Sequence, residues 1–198
     1  MKFDWKLKDI LMIAICAVLF GVVFLGATYA GGILYGVLTP VGMASLGYEP
    51  FYGIYFMAGA FGIYVMRKPG TGLVAELLAA IIECLLGNYF GPMIIVSGLV
   101  QGFGFELIFA IKKYKKFDLP TLCEAAVICS VITMLYNIVL RGYNRIAVPV
   151  LLLMLAVRLV STIVIDGFVT KALAEGLARA GVLKSYAIGQ NSSEDLED

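Results

Sequence analysis

The sequence predicts an all-α integral membrane protein, built as one compact bundle of six transmembrane helices with a long outer loop acting as a lid. Of its 198 residues, 61% are hydrophobic and only 15% are charged. The mean hydropathy is +0.94, far above that of soluble domains. Six apolar runs approach the roughly 20 residues that a membrane-spanning helix needs, and short connections between several of them make consecutive helices antiparallel neighbours.

The six predicted helices cover residues 9–29, 50–66, 71–88, 92–111, 119–140 and 146–175. The first is longer than the h-region of a secretory signal, which has about 7–15 residues, so we interpret it as an uncleaved span. Pro69 and Pro120 are placed to end one helix and begin the next. Residues 1–187 form the transmembrane domain, and the polar, acidic residues 188–198 are predicted to be a disordered tail.

The first outer connection, "YAGGILYGVLTPVGMASLGYEP", is long, rich in glycine and still apolar. These properties favour a segment folded over the outer face of the bundle, which we interpret as a lid. The alternative is that the segment extends helix 1 and then turns.

The basic residues predict the orientation of the chain in the plasma membrane. With the N-terminus inside, 12 of the 15 lysines and arginines are cytoplasmic, whereas Arg141 and Arg145 lie outside and Arg158 lies within a span. This distribution follows the positive-inside rule. Both termini are therefore predicted to be cytoplasmic.

Several function classes are disfavoured by residues that the chain lacks. It contains no histidine, which is the commonest zinc ligand and general base, and its four cysteines lie in apolar runs without metal-type spacing. We therefore expect no metal, no cofactor, no catalytic residue and no enzymatic activity. A net charge of +1 offers no field for nucleic acid. The chain also has no P-loop, so uphill transport would need an ion gradient or a partner.

Acidic residues within the spans are the strongest candidates for function, because a charge near the bilayer centre costs about 2.5–3.5 kcal/mol on insertion scales. At about 1.5 Å rise per residue, Glu76 lies roughly 8 Å and Glu83 roughly 18 Å along helix 3. The outer half also collects other polar side chains, and the candidate ligand-binding residues are Glu83, Glu49, Asn88, Gln101, Tyr52, Tyr136 and Tyr48. A pocket of carboxylates, amides and tyrosines without a basic residue suits a cationic or amine-bearing solute.

Two further groups of residues have structural or docking interpretations. Arg158 needs a buried anion, which Glu76, Glu83 or Glu106 could supply. Glu76, in the inner half of the bundle, is a better candidate for this ion pair than Glu83. On helix 1, Ala14, Ala17 and Gly21 lie on one side, as expected for a surface that docks a partner helix. Packing within the chain would explain the same spacing equally well.

Three segments carry a family resemblance: "YEPFYGIYFMAGAFGIYVMRKPG", "ELLAAIIECLLGNYFGPM" and "GLVQGFGFE". With the six helices they resemble the S components of energy-coupling factor (ECF) vitamin transporters, of the YkoE type linked to thiamine and its hydroxymethylpyrimidine precursor. The likeness spans roughly residues 5–187.

The resemblance implies a binding protein without enzymatic activity that captures a vitamin with high affinity near the outer face. Its partners would be a transmembrane T component, which docks on the small residues of helix 1, and two cytoplasmic ATPases that energise uptake. Glu83 with Asn88 or Gln101 would bind the pyrimidine, and Tyr52, Tyr136 and Glu49 would surround the thiazolium. The alternatives are an S component for another small vitamin, and a stand-alone ion-coupled transporter of a cationic solute.

Overall fold

The computed structural model describes residues 5–189, and the secondary structure of this part of the chain is entirely helical. Its helices are α1 (Leu7–Leu38), α2 (Tyr52–Met66), α3 (Thr71–Leu85), α4 (Met93–Ile111), α5 (Leu119–Leu140), α6 (Val148–Thr162) and α7 (Thr170–Arg179). The π-helical turns of Ile163–Val169 join α6 to α7, so that these two form one continuous run. Short 3₁₀ segments, Thr39–Val41, Ala44–Phe51 and Tyr143–Arg145, occupy the connections.

Four helical runs of the described chain are long and apolar enough to cross a membrane: Leu7–Val41, Met93–Ile111, Leu119–Leu140 and Val148–Arg179. Helices α2 and α3 have 15 residues each, about 22 Å at helical rise, which is less than the hydrocarbon core of about 30 Å. The all-helical membrane architecture predicted from the sequence is confirmed. The two short helices depend on their neighbours for their place in the bundle.

Helix α1 is longer than predicted. It continues to Leu38 and so includes the first part of the segment that was expected to be a lid. The rest of that segment includes the 3₁₀ helix Ala44–Phe51, which packs against α1 and α6. A Cβ on Gly47 would collide with the backbone of Tyr35, and one on Gly31 would meet the ring of Tyr48. Glycine at these two positions is what allows the 3₁₀ segment to lie directly on α1.

Helix α2 is the centre of the bundle and is buried around most of its circumference. Helix α3 packs closely on both α2 and α4, because small residues line these interfaces. A Cβ on Gly62 would lie 3.0 Å from the Cβ of Ala75, and one on Gly102 would lie 2.8 Å from the Cα of Leu73. The tight packing holds α3, which carries Glu76 and Glu83, against the middle of the molecule.

The small residues of α1 mostly face inward, which corrects the predicted docking surface. Ala17 and Gly21 are buried, whereas Ala14 is exposed. A Cβ on Gly21 would lie 2.7 Å from Cγ2 of Ile82 on α3. Ala17 and Gly21 therefore serve packing within the chain, and of the three predicted residues only Ala14 is accessible to a partner.

One end of the bundle gathers both ends of the described chain. The indole N–H of Trp5 donates to the carbonyl of Pro69 between α2 and α3 at 3.1 Å, and the hydroxyl of Tyr186 donates to the carbonyl of Lys8 at 2.8 Å. We call this the basic end, because its helix ends and turns include Lys6, Lys8, Arg67, Lys68, Lys112, Lys113, Lys115 and Lys116.

At the same end, Glu106 of α4 caps the start of α3. Its carboxylate accepts backbone N–H groups from Gly70 at 2.5 Å, Gly72 at 3.1 Å and Leu73 at 3.2 Å, together with the hydroxyl of Tyr114 at 2.6 Å. These are the donors that a helix N-terminus leaves without intrahelical partners, and the helix dipole favours a negative charge there. Glu106 is thus a structural acid.

The predicted tail, residues 188–198, lies outside the described residues except for its first two positions. Ile188 is only 3% exposed and belongs to the hydrophobic core. The folded domain therefore extends at least to residue 189.

Candidate ligand-binding site

A cavity of about 360 Å³ lies at the end of the bundle opposite the basic end. Its lining on α1 begins at Phe24, seventeen residues or about 25 Å beyond the start of that helix. The other lining residues are Thr28, Tyr35, Ser45, Tyr48, Tyr52, Tyr55, Ala80, Glu83, Phe90, Ile94, Ser97, Gln101, Thr133, Tyr136, Asn137, Arg141, Gly142, Tyr143 and Ile146. Its volume lies within the usual range for small-molecule sites.

Glu83 is the acid of the cavity. Its side chain is 1% exposed, and Oε1 accepts hydrogen bonds from the hydroxyl of Thr28 at 2.7 Å and from the amide of Asn88. Asn88 is itself fixed, because its Oδ1 accepts the backbone N–H of Phe90 at 2.6 Å. Within the described chain Oε2 has no partner, so this oxygen is free to accept a hydrogen bond from a molecule in the cavity.

Five of the seven predicted ligand-binding residues line the cavity: Glu83, Gln101, Tyr52, Tyr136 and Tyr48. The hydroxyl of Tyr52 accepts a hydrogen bond from the amide of Asn137 at 2.6 Å, and the hydroxyls of Tyr136 and Ser97 lie 3.2 Å apart. The side-chain amide of Gln101 has no hydrogen bond to any described residue. Asn88 does not line the cavity. Its side-chain amide instead donates a hydrogen bond to Oε1 of Glu83 and so helps to orient that carboxylate.

Glu49 is the second departure from the predicted site. Its carboxylate accepts two hydrogen bonds from Arg158, one from Nε at 2.7 Å and one from Nη2 at 2.8 Å, and both side chains are fully buried. Arg158 also donates Nη1–H to the hydroxyl of Thr133 at 3.1 Å, and its guanidinium lies 3.5 Å from the ring centre of Tyr52. Glu49 therefore neutralises a cation of the protein and is not available to a ligand.

The predicted ion pair between Glu76 and Arg158 is accordingly wrong. Glu76 is 1% exposed and faces α2, where its Oε2 accepts the backbone N–H of Gly59 at 2.7 Å. Glu49 takes its place because the 3₁₀ segment Ala44–Phe51 folds inward and packs against α6. The sequence predicts that Glu49 lies where the first outer loop enters helix 2. Burial of its side chain against α6 does not follow from that position.

A basic residue in the cavity also contradicts the pocket expected from the sequence. Arg141 follows the end of α5, lines the cavity and donates Nη2–H to the hydroxyl of Ser97 at 2.9 Å. Its guanidinium lies 5.3 Å from the ring centre of Phe90. The charge distribution of the sequence predicts only that Arg141 lies on the outer side of the membrane, and does not identify it as a lining residue.

Other lining residues were missed from the sequence. Thr28 is an isolated polar residue in the long apolar α1, a signal that could have identified it, and its hydroxyl lies 3.2 Å from that of Tyr55. Tyr143 lies in the connection between α5 and α6, and burial raises its pKa above the ordinary value. Its phenol therefore stays protonated at neutral pH and can donate a hydrogen bond.

The lining of the cavity determines which kinds of molecule it can hold. Among residues 5–189, no group of three or more His, Cys, Asp or Glu side chains is arranged to hold a metal ion. The cavity combines one acid, a free amide and many aromatic rings with an arginine on another wall. Hydrogen-bonding groups can contact the edge of a flat heterocycle, and aromatic rings can stack on its faces.

Comparison with known proteins gives three matches. The family model described as "ABC-type cobalt transport system, permease component" matches residues 8–132. YkoE of Bacillus subtilis (strain 168), named as a proposed HMP/thiamine permease, is 40% identical over 187 residues, which cover 94% of this chain and 92% of that protein. A crystal structure described as an S-component of ECF transporter matches with a TM-score of 0.92 and 39% identity, covering 98% of this chain and 96% of the other.

Proposed function

Because this chain belongs to the S components of energy-coupling factor transporters, we propose that it captures thiamine or its hydroxymethylpyrimidine precursor for uptake. The name of the B. subtilis relative supports this substrate class. The carboxylate, amide and aromatic side chains of the cavity support the same substrate class independently.

The observation that carries the proposal is the free Oε2 of Glu83, held in position by Thr28 and Asn88 on the other oxygen. An aminopyrimidine presents an exocyclic amino group beside a ring nitrogen. The amino group suits a carboxylate, and the ring nitrogen suits the N–H of an amide such as that of Gln101. A hydrogen bond to an ionised acceptor is about twice as strong as a neutral one.

The aromatic walls would hold the rest of the ligand. Tyr48, Phe90 and Tyr136 line the cavity, and aromatic faces attract both flat heterocycles and cations such as thiazolium. Tyr52 is less suited to a second cation, because Arg158 already lies against its ring. In the proposal Glu49 has no contact with the thiazolium.

The chain lacks a nucleotide-binding P-loop, so energy for uptake comes from elsewhere. In the proposed assembly a transmembrane T component and two cytoplasmic ATPases supply it. The exposed side of α1, which includes Ala14, Val18 and Val22, is the candidate surface for the T component. The positive-inside rule makes the basic end cytoplasmic, so the cavity faces outward.

A stand-alone ion-coupled transporter is the second candidate, and one observation favours it. Asp166 is fully buried in the π-helical segment, and neither of its carboxylate oxygens has a hydrogen-bond partner among the described residues. One oxygen of Glu76 is also unpaired. Buried acids of this kind can relay protons in transporters.

Calorimetry with thiamine and with hydroxymethylpyrimidine on the purified protein tests the proposed function. Binding should occur without any ion gradient, and Glu83→Gln should weaken it at least tenfold, about 1.4 kcal/mol, because the amide lacks the charge. Glu124→Gln is the matched control, since Glu124 is exposed and pairs with Lys112 near the basic end. Unchanged affinity in Glu83→Gln would remove this residue from the site.

A further inference from the structure

The two arginines beside the cavity differ in how their charges are balanced. Arg158 is neutralised by Glu49 through two hydrogen bonds. Arg141 has no carboxylate within ion-pair distance in the described part of the chain. Its contacts there are the hydroxyl of Ser97 and the ring of Phe90. Among residues 5–189, Arg141 is therefore a cavity-lining cation that no carboxylate neutralises.

These two contacts fix the direction of the Arg141 guanidinium. Ser97 holds Nη2 from the first turns of α4, and Phe90 supports the guanidinium from the connection before that helix. A guanidinium has five N–H donors, and only one of them is used by the described residues. The other donors of this cavity-lining group remain for a ligand or water.

A ligand that fills the cavity removes water from Arg141. Desolvating a charged donor without replacing its acceptors is costly, so a favoured ligand must bring an acceptor to this position. No hydrogen bond or ion pair joins Arg141 to Glu83, which lies on the wall built by α1 and α3. The ligand should therefore carry an amino group at one place and an oxygen acceptor at another.

From this arrangement we propose that Arg141 forms an anion subsite, and that the cavity binds the phosphate monoester of its aminopyrimidine ligand more tightly than the parent alcohol. The inference rests on the proposed function, because it identifies which chemical form of that ligand the same cavity prefers. Thiamine carries a primary alcohol at the end remote from its aminopyrimidine, and this is the position at which its monoester forms. A guanidinium binds a phosphate through parallel N–H···O contacts, whereas it repels the thiazolium.

Calorimetry on the purified full-length protein with thiamine and thiamine monophosphate tests the subsite. In the wild type the monophosphate should bind at least tenfold more tightly than thiamine. Arg141→Gln should reduce this ratio of affinities at least tenfold. Arg145→Gln is the matched control, because Arg145 is exposed in the same connection and does not line the cavity, so it should keep the wild-type ratio.

The wild-type comparison is decisive even if Arg141→Gln does not fold. The second ionisation of a phosphate monoester has a pKa near 6, so the preference for thiamine monophosphate should grow between pH 5 and pH 7. Arg141→Lys keeps the charge without the planar fork and should give an intermediate ratio.

Two results would overturn the subsite: a wild-type protein that binds thiamine monophosphate no better than thiamine, or an Arg141→Gln protein with the wild-type ratio. Failure of the proposed function is distinguishable from both. In that case neither thiamine, nor hydroxymethylpyrimidine, nor thiamine monophosphate would bind to the wild type.

Discussion

Arg158 is fully buried, and its charge is balanced by an acid that lies 109 positions away in the sequence. Removing a buried charge partner leaves the other group without compensation, whereas replacing both groups by apolar residues is often nearly neutral. Arg158 also lies against Tyr52 and donates a hydrogen bond to Thr133, and both of these residues line the cavity. The ion pair therefore connects the 3₁₀ segment that carries Glu49 to the cavity lining.

We therefore predict that Arg158→Met lowers the free energy of unfolding by about 3–5 kcal/mol. The double variant Arg158→Met with Glu49→Leu should recover most of this loss, because no unpaired charge remains. Thermal unfolding in detergent measures both effects as a double-mutant cycle. Additive losses would show that the two side chains contribute to stability independently.

The inward position of Gly21 on α1 leads to a prediction about helix packing. Gly21→Leu should destabilise the protein and weaken ligand binding, because the new side chain meets Ile82 and the carbonyl of Ala79 on α3. Insertion of excess volume into packed interiors costs about 1–3 kcal/mol. The melting temperature in detergent and the affinity for thiamine are the measurements.

Gly26→Leu is the matched control on the same helix, since nothing lies within 4 Å of a Cβ at that position. It should leave both stability and binding close to those of the wild type. A partner-docking role for Gly21 would give the reverse pattern: normal binding and stability, with transport alone impaired.

The start of α5 depends on a capping aspartate. The side chain of Asp118 accepts the backbone N–H of Thr121 at 3.0 Å, and hydrogen bonds from Thr121 lower the pKa of Asp118 below its ordinary value. The folded state therefore binds a proton at this carboxyl less readily than the unfolded state does. The stabilising contribution of the Asp118 cap is fully present above the pKa of aspartate in the unfolded chain, near 3.9. It is lost as the pH falls through the lower pKa that Asp118 has in the folded protein.

Asp118→Ala should accordingly cost about 1 kcal/mol at pH 7. The difference in unfolding free energy between wild type and variant should shrink as the pH falls below about 4. Denaturant unfolding at several pH values measures it. A difference that is constant down to pH 2 would contradict a cap that acts through the ionised carboxylate.

For the whole molecule, the proposed assembly predicts that binding and accumulation are separable. Cells that express this chain alone should not accumulate thiamine against a gradient, whereas cells that also express a T component and its ATPases should. Uptake of labelled thiamine measures the difference. Uphill uptake by the chain alone would favour the ion-coupled alternative, and loss of that uptake in Asp166→Asn would assign the coupling to the buried acid.

The sequence predicted best the features that depend on regular helices. Glu83, Gln101 and Tyr136 each lie within a helix, so a fixed rise per residue places all three well away from the basic end. Glu49 lies in a 3₁₀ segment, to which no such depth applies, and its pairing with Arg158 depends on how that segment folds. Ala17 and Gly21 show a further limit, because small-residue spacing marks a close contact without saying which helix makes it.

The single tryptophan of the chain is held against Pro69 at the basic end, far from the tyrosine-lined cavity. Intrinsic tryptophan emission should therefore be insensitive to a ligand that occupies the cavity, while tyrosine signals change. The same indole should respond when another protein or a charged lipid surface covers the basic end. The chain thus carries an optical reporter for each end: the emission of its tryptophan follows docking at the basic end, and the tyrosine signals follow ligand capture in the cavity.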